Sequence, residues 1–439
     1  MKSLDLSGPF LNGKASTWDS MRPTNFMRTC RVCGNKNIRT FFDLGEQPLA
    51  NSLLKNPGRV ESKYPLSLSW CSQCNLVQLN YTVDPSELFS SYLWVTSTSK
   101  AAREFANNFC DELLARSGKI LKEEYILEVA SNDGTFLIPF LKKSIRVLGV
   151  DPARNLVNIA KENNIPTKCA FWGKHEALKT LQKYGPAKVI FARNVLPHVA
   201  NTNDFMKGLR LALDENGTLA IEVHYAKIIL EGLHYDSIYH EHLCYFSLKP
   251  LEELLKAHGL FIFDMIRSPI SGGSIIVYAK KYKAKERKSV EKFRTDELKD
   301  RTNQFSSWKT FAKRSFSHRD KLLKVLNKVT AQKKILIGWG ASARSSTLLN
   351  FCGLNSRIIP VVADQNNLKQ KLFTAGSHIL IESPKIAMKK KPDVILILAW
   401  NFAQEIIETL KNEFKWQGDC IIPFPNAPTI VKKGKKYQI

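Results

Sequence analysis

The sequence predicts an α/β protein: a small metal module, a central doubly wound domain and a second α/β domain at the C-terminus. Three observations predict it. Two CxxC pairs stand near the N-terminus, and two separate stretches alternate short apolar strands with helical segments.

A chain of 439 residues exceeds one ordinary core, and 44% hydrophobic with 24% charged residues is globular composition. Patterning divides it into a polar tail (1–27), a metal module (28–100), a central domain (101–280), a basic helical connector (281–333) and a C-terminal domain (334–439). No apolar run approaches the roughly 18 residues that span a bilayer. Met1–Arg28 holds no signal-length apolar run, so a cytoplasmic protein without membrane contact is expected. Nine cysteines, an odd number, argue against a disulfide framework in that setting.

The metal module rests on Cys30-Arg31-Val32-Cys33 and Cys71-Ser72-Gln73-Cys74, two knuckles 37 residues apart. Two thiolates three positions apart turn onto one face of a metal, and two such pairs complete a tetrahedral shell. The expected ion is a structural zinc on Cys30, Cys33, Cys71 and Cys74. A redox pair would sit at a strand-to-helix turn and would not come twice.

In the central domain, Tyr125–Ala130 reads as a buried strand ending in Ser131-Asn132-Asp133-Gly134, before a helix at Phe136–Lys142. Val147–Val150 is a second strand, closed by Asp151, with a helix at Asn155–Glu162. Lys188–Ala192 and Thr218–Val223 follow, the latter after the turn Glu215-Asn216-Gly217, and Phe261–Ile266 and Ser274–Ala279 close the domain. Ligands of doubly wound sheets bind outside the carboxyl ends of the strands. The turn at Glu128–Gly134 and the acid Asp151 fall there. With Gly134 as the turn's one glycine, the pattern alone fits a methyltransferase, a dehydrogenase or a structural turn.

Tyr239-His240-Glu241-His242 is the densest run of titratable groups, and Asn194, His198, Glu222, His224 and Tyr225 fall at other strand ends. The run lacks the spacing of a helical HExxH zinc motif. It suits a proton acceptor whose tautomer is held by neighbours, although metal ligation and a capping cluster also fit.

The formal charge of +25 raises the question of nucleic acid. About half the excess lies in Lys280–Lys334, with 19 Lys or Arg against six Asp or Glu. Phe305, Trp308, Phe311, Phe316, Leu322, Leu326 and Val329 recur there at helical spacing, so the lysines form a solvated face opposite a greasy one. No base-reading motif accompanies them, and no nucleic-acid partner is expected. Beyond Lys334 the second α/β pattern begins, with strands Ile335–Gly338, Ile358–Val362, Val394–Ala399 and Cys420–Ile422. Gly338-Trp339-Gly340-Ala341-Ser342-Ala343-Arg344 forms its strand-to-helix turn, whose amides suit phosphate.

These pieces, in one order, resemble a known family. Asp43-Leu44-Gly45-Glu46-Gln47-Pro48-Leu49-Ala50-Asn51-Ser52 lies between the CxxC pairs, and Leu76-Val77-Gln78-Leu79 follows the second. Tyr92, Thr96-Ser97-Thr98-Ser99, Glu128–Gly134, Gly149–Ala153, Asn194–Val199, Tyr239–His242, Gly272-Gly273-Ser274, Gly340–Arg344, Thr347–Asn350 and Ala399-Trp400-Asn401 complete the set. Over roughly residues 28–425 the chain resembles the nucleotide-sugar C-methyltransferases, which methylate a ring carbon of deoxysugars with S-adenosylmethionine.

The resemblance implies a Rossmann-like methyltransferase core between a zinc module and a C-terminal Rossmann-like domain. It implies S-adenosylmethionine held by Glu128, Ser131, Asn132, Asp133, Gly134, Asp151 and Asn194, with Asp151 on the ribose. His242 becomes the base, with Tyr239, Glu241, His198, Asn194 and Tyr92 lining the sugar site. Gly340, Ala341, Ser342, Arg344, Asn350, Trp400 and Asn401 would bind the rest of a nucleotide-linked keto-deoxysugar, with the enzyme acting as a monomer. Arg344-Ser345-Ser346 stands where the family commonly has Lys-Gly-Asn, and Lys371 where it has glycine, which leaves the bound nucleotide open. The rival expectations are an O- or N-methyltransferase of the same fold and a zinc-containing nucleic-acid-binding protein.

Overall fold

Each CxxC pair closes on a residue in the left-handed region, Gly34 at φ 72° and Asn75 at φ 64°, a conformation that glycine and asparagine adopt most readily. The turn lets Gly34 N and Asn75 N donate to Cys30 O and Cys71 O at 3.0 Å. The computed structural model describes residues 25–58, 60–89, 94–269, 272–432 and 435–438, so Tyr92 and nearly all of the 1–27 tail lie outside the described residues. Strands Ile38–Pro48, Lys63–Cys71 and Val77–Leu79 pair antiparallel around the knuckles. Their fourth neighbour, Cys244–Tyr245, comes from the chain just after the Tyr-His-Glu-His run. Module and run are therefore tied by backbone hydrogen bonds.

The central sheet has seven strands. Its order is Phe261–Ser268, Ser274–Lys280, Leu213–His224, Ala187–Arg193, Tyr125–Val129, Arg146–Asp151 and Thr167–Cys169. Tyr125–Val129 is central and buried throughout, because an apolar run covered on both faces suits a parallel interior strand. Ser274–Lys280 runs antiparallel to both its neighbours, which departs from an all-parallel sheet. The reason is local: the short link after Phe261–Ser268 permits a hairpin, whereas a parallel partner needs a long crossover. Glu215-Asn216-Gly217 interrupts the pairing of Leu213–His224, whose register jumps from Ala187↔Leu213 to Val189↔Thr218. Beneath the turn after Val129, Phe109 packs on Phe136 and Phe191 at 5.7 and 5.1 Å between ring centroids. Each such buried phenyl contributes about 1.5–3 kcal/mol.

The C-terminal sheet also has seven strands: Leu380–Glu382, Val361–Ala363, Leu336–Trp339, Val394–Ile397, Asp419–Ile422, Thr429–Lys432 and Lys435–Gln438. The first five are parallel; the last two pair antiparallel. Between the two sheets come helices Lys288–Lys299 and Phe305–Ala331. The second buries Trp308, Phe311, Leu322, Leu326 and Val329 and exposes Lys309, Lys313, Lys321, Lys324 and Lys328. Phe316 departs from its place on the greasy face: it is 38% exposed. One edge of its ring still meets Phe42 of the module, which also touches Phe311 and Phe351. Module, connector and C-terminal domain thus share a core at Phe42. Among the described residues no helix is long and apolar enough to cross a membrane.

Candidate active site

The four knuckle thiols converge. All their sulfurs lie within 4.8 Å of one another, the one such group of metal-ligating side chains among the described residues. Cys30 Sγ is 3.4 Å from Cys74 Sγ and Cys33 Sγ is 3.6 Å from Cys71 Sγ. These separations are too long for a disulfide and suit edges of a tetrahedron about one ion with metal–sulfur bonds of about 2.3 Å. Four protein ligands leave no open position, and the Tyr239–His242 run contributes none.

The turn after Val129 is held by acids. Asp151 Oδ2 accepts from Asn132 N and Oδ1 from Ala153 N, both at 2.8 Å, so one carboxylate ties two strand-end loops together. Asp133 accepts from Ser97 N at 2.9 Å and Thr135 Oγ1 at 2.7 Å, and Asn132 Oδ1 accepts from Thr96 N at 3.0 Å. Gly134 has φ 76°, and a Cβ there would meet the Ile165 side chain at 2.7 Å. That contact is why the turn keeps its glycine. Among the described residues, Glu128 Oε2 and Ser131 Oγ are buried without hydrogen-bond partners. Burial holds the Glu128 carboxyl well above the usual carboxylate range and raises Asp151 to about 6, against the opposing amide bonds from Ala153 and Asn132. Orphaned acceptors beside uncompensated carboxyls fit a ligand that brings ammonium and sulfonium charge and ribose hydroxyls.

The Tyr239–His242 run lies in the turn before Cys244–Tyr245, and Asn194, His198 and His224 lie at or just beyond the ends of neighbouring strands of the central sheet. His242 Nδ1 is 2.8 Å from Ser237 O and Nε2 is 2.7 Å from Tyr239 Oη. A carbonyl only accepts, so Nδ1 carries the proton and Nε2 receives the tyrosine hydroxyl. His198 and His224 approach the same ring, with centroids 4.9 and 6.3 Å away. Burial pulls His242 well below the ordinary histidine value, helped by His198 and His224; burial also lowers His198 to about 4. His198, His224, Tyr239, His242 and Arg344 are each partly buried. Among the described residues, His198 Nδ1 and His224 Nε2 have no hydrogen-bond partner. Asn194, in the left-handed region at φ 50°, joins this group through its amide on Glu222 O at 2.8 Å. Glu241 accepts from Asn51 Nδ2 of the metal module at 2.6 Å, and His240 Nε2 donates to Tyr64 O at 3.2 Å.

The C-terminal turn repeats the central one. Ala341 N donates to Asp364 Oδ2 at 2.8 Å, as Asn132 N does to Asp151. Gly340, at φ 97°, leaves no room for a Cβ, which would lie 2.4 Å from that of Ala399. Ser342 Oγ caps helix Ala343–Phe351 by accepting from Ser345 N. Asn350 Nδ2 bonds Ser346 O and Ala375 O, a packing role within the domain. Lys371 has φ 66°, which explains why glycine suits that position; lysine there costs roughly 1–2 kcal/mol. Asn401 is exposed in the turn Trp400–Phe402. Trp400 and Arg344 both reach Asp236, just before the Tyr239–His242 run: Trp400 Nε1 donates to Oδ2 at 2.7 Å and Arg344 Nε lies 3.2 Å from it.

Sequence reasoning missed Asp236 and Ser237, which carry no motif, and left His224 without a role although it was visible at a strand end.

A parallel sheet closed by one antiparallel strand, with an acid-pinned turn after its central strand, is the architecture of S-adenosylmethionine-dependent methyltransferases. Residues 102–263 match the family described as "Methyltransferase domain", residues 30–89 "Putative zinc binding domain" and residues 269–425 "C-methyltransferase C-terminal domain". Over 416 residues the chain is 31% identical to C-methyltransferase NovU of Streptomyces niveus, covering 94% of this chain and 98% of that one. The chain therefore belongs to this family of C-methyltransferases, with S-adenosylmethionine as cofactor and a zinc-binding domain. Solved structures align over the core alone. A methyltransferase from Clostridium acetobutylicum is 13% identical, with TM-score 0.33, over 40% of this chain and 91% of that one. Magnesium protoporphyrin IX methyltransferase from Synechocystis is 12% identical, with TM-score 0.30, over 40% and 78%.

Proposed function

We propose that the enzyme methylates carbon 3 of a nucleotide-linked 4-keto-deoxysugar, with His242 as the base. One observation carries this reading: the His242 imidazole, its Nδ1–H fixed on Ser237 O, turns its Nε2 to the Tyr239 hydroxyl.

Carbon becomes nucleophilic when its proton lies beside a carbonyl. Tyr239 Oη and His242 Nε2 are neighbours that match the neighbouring ketone oxygen and carbon 3 proton of such a sugar. On binding, the Tyr239 hydroxyl turns its hydrogen bond from Nε2 to the ketone oxygen. Nε2 then takes the proton; the carbon–hydrogen electron pair moves into the enolate, whose oxygen Tyr239 stabilises. Burial raises Tyr239 above the ordinary phenol value, so it stays a donor. His198 and Asn194 hold the sugar between base and cofactor, and Glu241 fixes the run against the metal module. Bound S-adenosylmethionine supplies the electrophilic methyl that the enolate carbon accepts. Glu128, Ser131, Asn132, Asp133, Gly134 and Asp151 would hold it, and the C-terminal turn would hold the substrate's nucleotide.

The test is incubation with S-adenosylmethionine and a panel of nucleotide 4-keto-sugars. A gain of one methyl in mass is expected, with none for 4-hydroxy analogues. Equal methylation of the 4-hydroxy sugars would refute the enolate.

Asp151 gives a second test. Asp151→Ala should weaken S-adenosylmethionine binding by about 1.5–3 kcal/mol, the range for a hydrogen bond to a charged group. Burial raises Asp151 to about 6, while a cationic ligand with ribose hydroxyls favours the ionised carboxylate. Binding should therefore release protons near pH 6, and affinity should fall as pH drops through that value. Folding has the opposite sign: this raised carboxyl contributes stability below its unfolded value and loses that contribution as pH rises through about 6. Calorimetry in buffers of different ionisation enthalpy reads the released protons. Unchanged affinity in the variant would mean that another group holds the ribose.

A further inference from the structure

Sequence position groups Arg344 with the glycine turn of the C-terminal domain, but its guanidinium serves another place. Nη2 donates to Ser237 Oγ, Nε lies 3.2 Å from Asp236 Oδ2, and Cζ sits 4.9 Å from the Trp400 ring centroid. Trp400 Nε1 donates to the same carboxylate oxygen. Thr347, one helical turn beyond Arg344, donates its hydroxyl to Ile238 O at 2.7 Å. A Cβ on Gly272 would come 2.9 Å from Arg344 Nη1, so glycine there leaves room for the guanidinium. The chain at 236–238 is thus gripped at three successive residues by the C-terminal domain.

Ser237 is also the residue whose carbonyl receives His242 Nδ1–H, at 2.8 Å. The two imidazole tautomers differ little in energy by themselves, and the partner of one nitrogen decides which carries the proton. We propose that Arg344 is a positioning residue: by clamping Ser237 it fixes the Nδ1–H tautomer of His242 and keeps Nε2 bare as the proton acceptor. The proposal rests on His242 being the base, and it makes the C-terminal domain part of the proton-transfer apparatus as well as a holder of substrate. Asp236 completes the clamp. Burial raises its carboxyl above the ordinary value, and Arg344 and Trp400 oppose that rise, so it serves as the anchor that orients the guanidinium toward Ser237.

The experiment uses the full-length, zinc-loaded protein with ¹⁵N-labelled histidine, comparing wild type with Arg344→Gln, Arg344→Lys and Ser237→Ala. In wild type the His242 resonances should report a protonated Nδ1 and a bare Nε2. In Arg344→Gln and Ser237→Ala they should shift to a mixture of tautomers. For Arg344→Gln, kcat should fall on the order of 10–10²-fold, as for a modest misplacement of a catalytic group, while KM for the sugar nucleotide changes little. Arg344→Lys, which keeps a donor and the charge, should recover most of the loss. A raised KM with kcat unchanged would return Arg344 to the nucleotide grip and overturn the proposal. An unchanged His242 signature in both Arg344→Gln and Ser237→Ala would overturn it too, and Ser237→Ala decides if the glutamine variant does not fold. The resonances need no substrate. A shifted signature together with full activity of His242→Ala would therefore retain the clamp and reject His242 as base.

Discussion

Replacing His242 by alanine should lower methyl-transfer turnover about 10²–10⁴-fold, the usual range for losing a general base, and leave S-adenosylmethionine affinity unchanged. The size follows from the isolation of the site. Among groups near the Tyr239 hydroxyl, His242 is the imidazole held neutral by burial with one nitrogen pinned to a backbone carbonyl. The cofactor contacts proposed for the turn after Val129 and for Asp151 lie on other strand ends, so removing the ring should leave them intact. His198→Ala should cost less, because its ring lies beside His242 without a bond to the Tyr239 hydroxyl. Steady-state rates and calorimetric cofactor affinities check both. Equal, modest losses would mean shared or water-borne deprotonation, and a fully active His242→Ala enzyme would remove the base assignment.

The second large effect concerns the metal. Cys71→Ser removes one of four thiolates, and structural zinc provides about 10–16 kcal/mol of apparent binding energy in isolated zinc-finger peptides. The variant should lose its zinc and unfold the module built on Ile38–Pro48 and Lys63–Cys71. The damage should spread: Asn51 bonds Glu241, Tyr64 O receives His240, and Leu79 N donates to Leu243 O at 2.9 Å. Base run and metal module therefore unfold together, and chelation should abolish activity only as fast as it disorders the module. Metal analysis with circular dichroism and limited proteolysis reads this. Zinc content and stability unchanged in Cys71→Ser, or activity lost by chelation from an intact fold, would contradict a structural metal.

Much of this was legible in the sequence, for identifiable reasons. CxxC spacing encodes a knuckle directly, and Gly34 and Asn75 supply the left-handed closures that it needs. Strands such as Tyr125–Val129 are continuous apolar runs bounded by turn residues. Thr167–Cys169 was not legible, since three residues at a sheet edge carry no period. The antiparallel course of Ser274–Lys280 was hidden as well, because direction depends on the length of the link and leaves no mark on composition. At the site, the Tyr-His-Glu-His run stood out by residue type. Asp236 and Ser237 did not, because their importance comes from Arg344 and Trp400, more than a hundred residues away. The contact of Arg344 with Asp236 and Ser237 was not legible either, since a long side chain at a helix N-terminus reaches well beyond its own loop.

The central claim is that carbon, and the carbon beside a ketone in particular, receives the methyl group. The direct measurement supplies S-adenosylmethionine carrying a ¹³C-methyl together with the nucleotide 4-keto-sugar that gains mass, and reads the product by NMR. The account predicts a ¹³C-methyl bonded to carbon 3, the loss of the carbon 3 proton signal, and exchange of that proton in deuterated buffer by wild type but not by His242→Ala. A ¹³C-methyl resonating as an ether or an N-methyl group, with the carbon 3 proton retained, would contradict it.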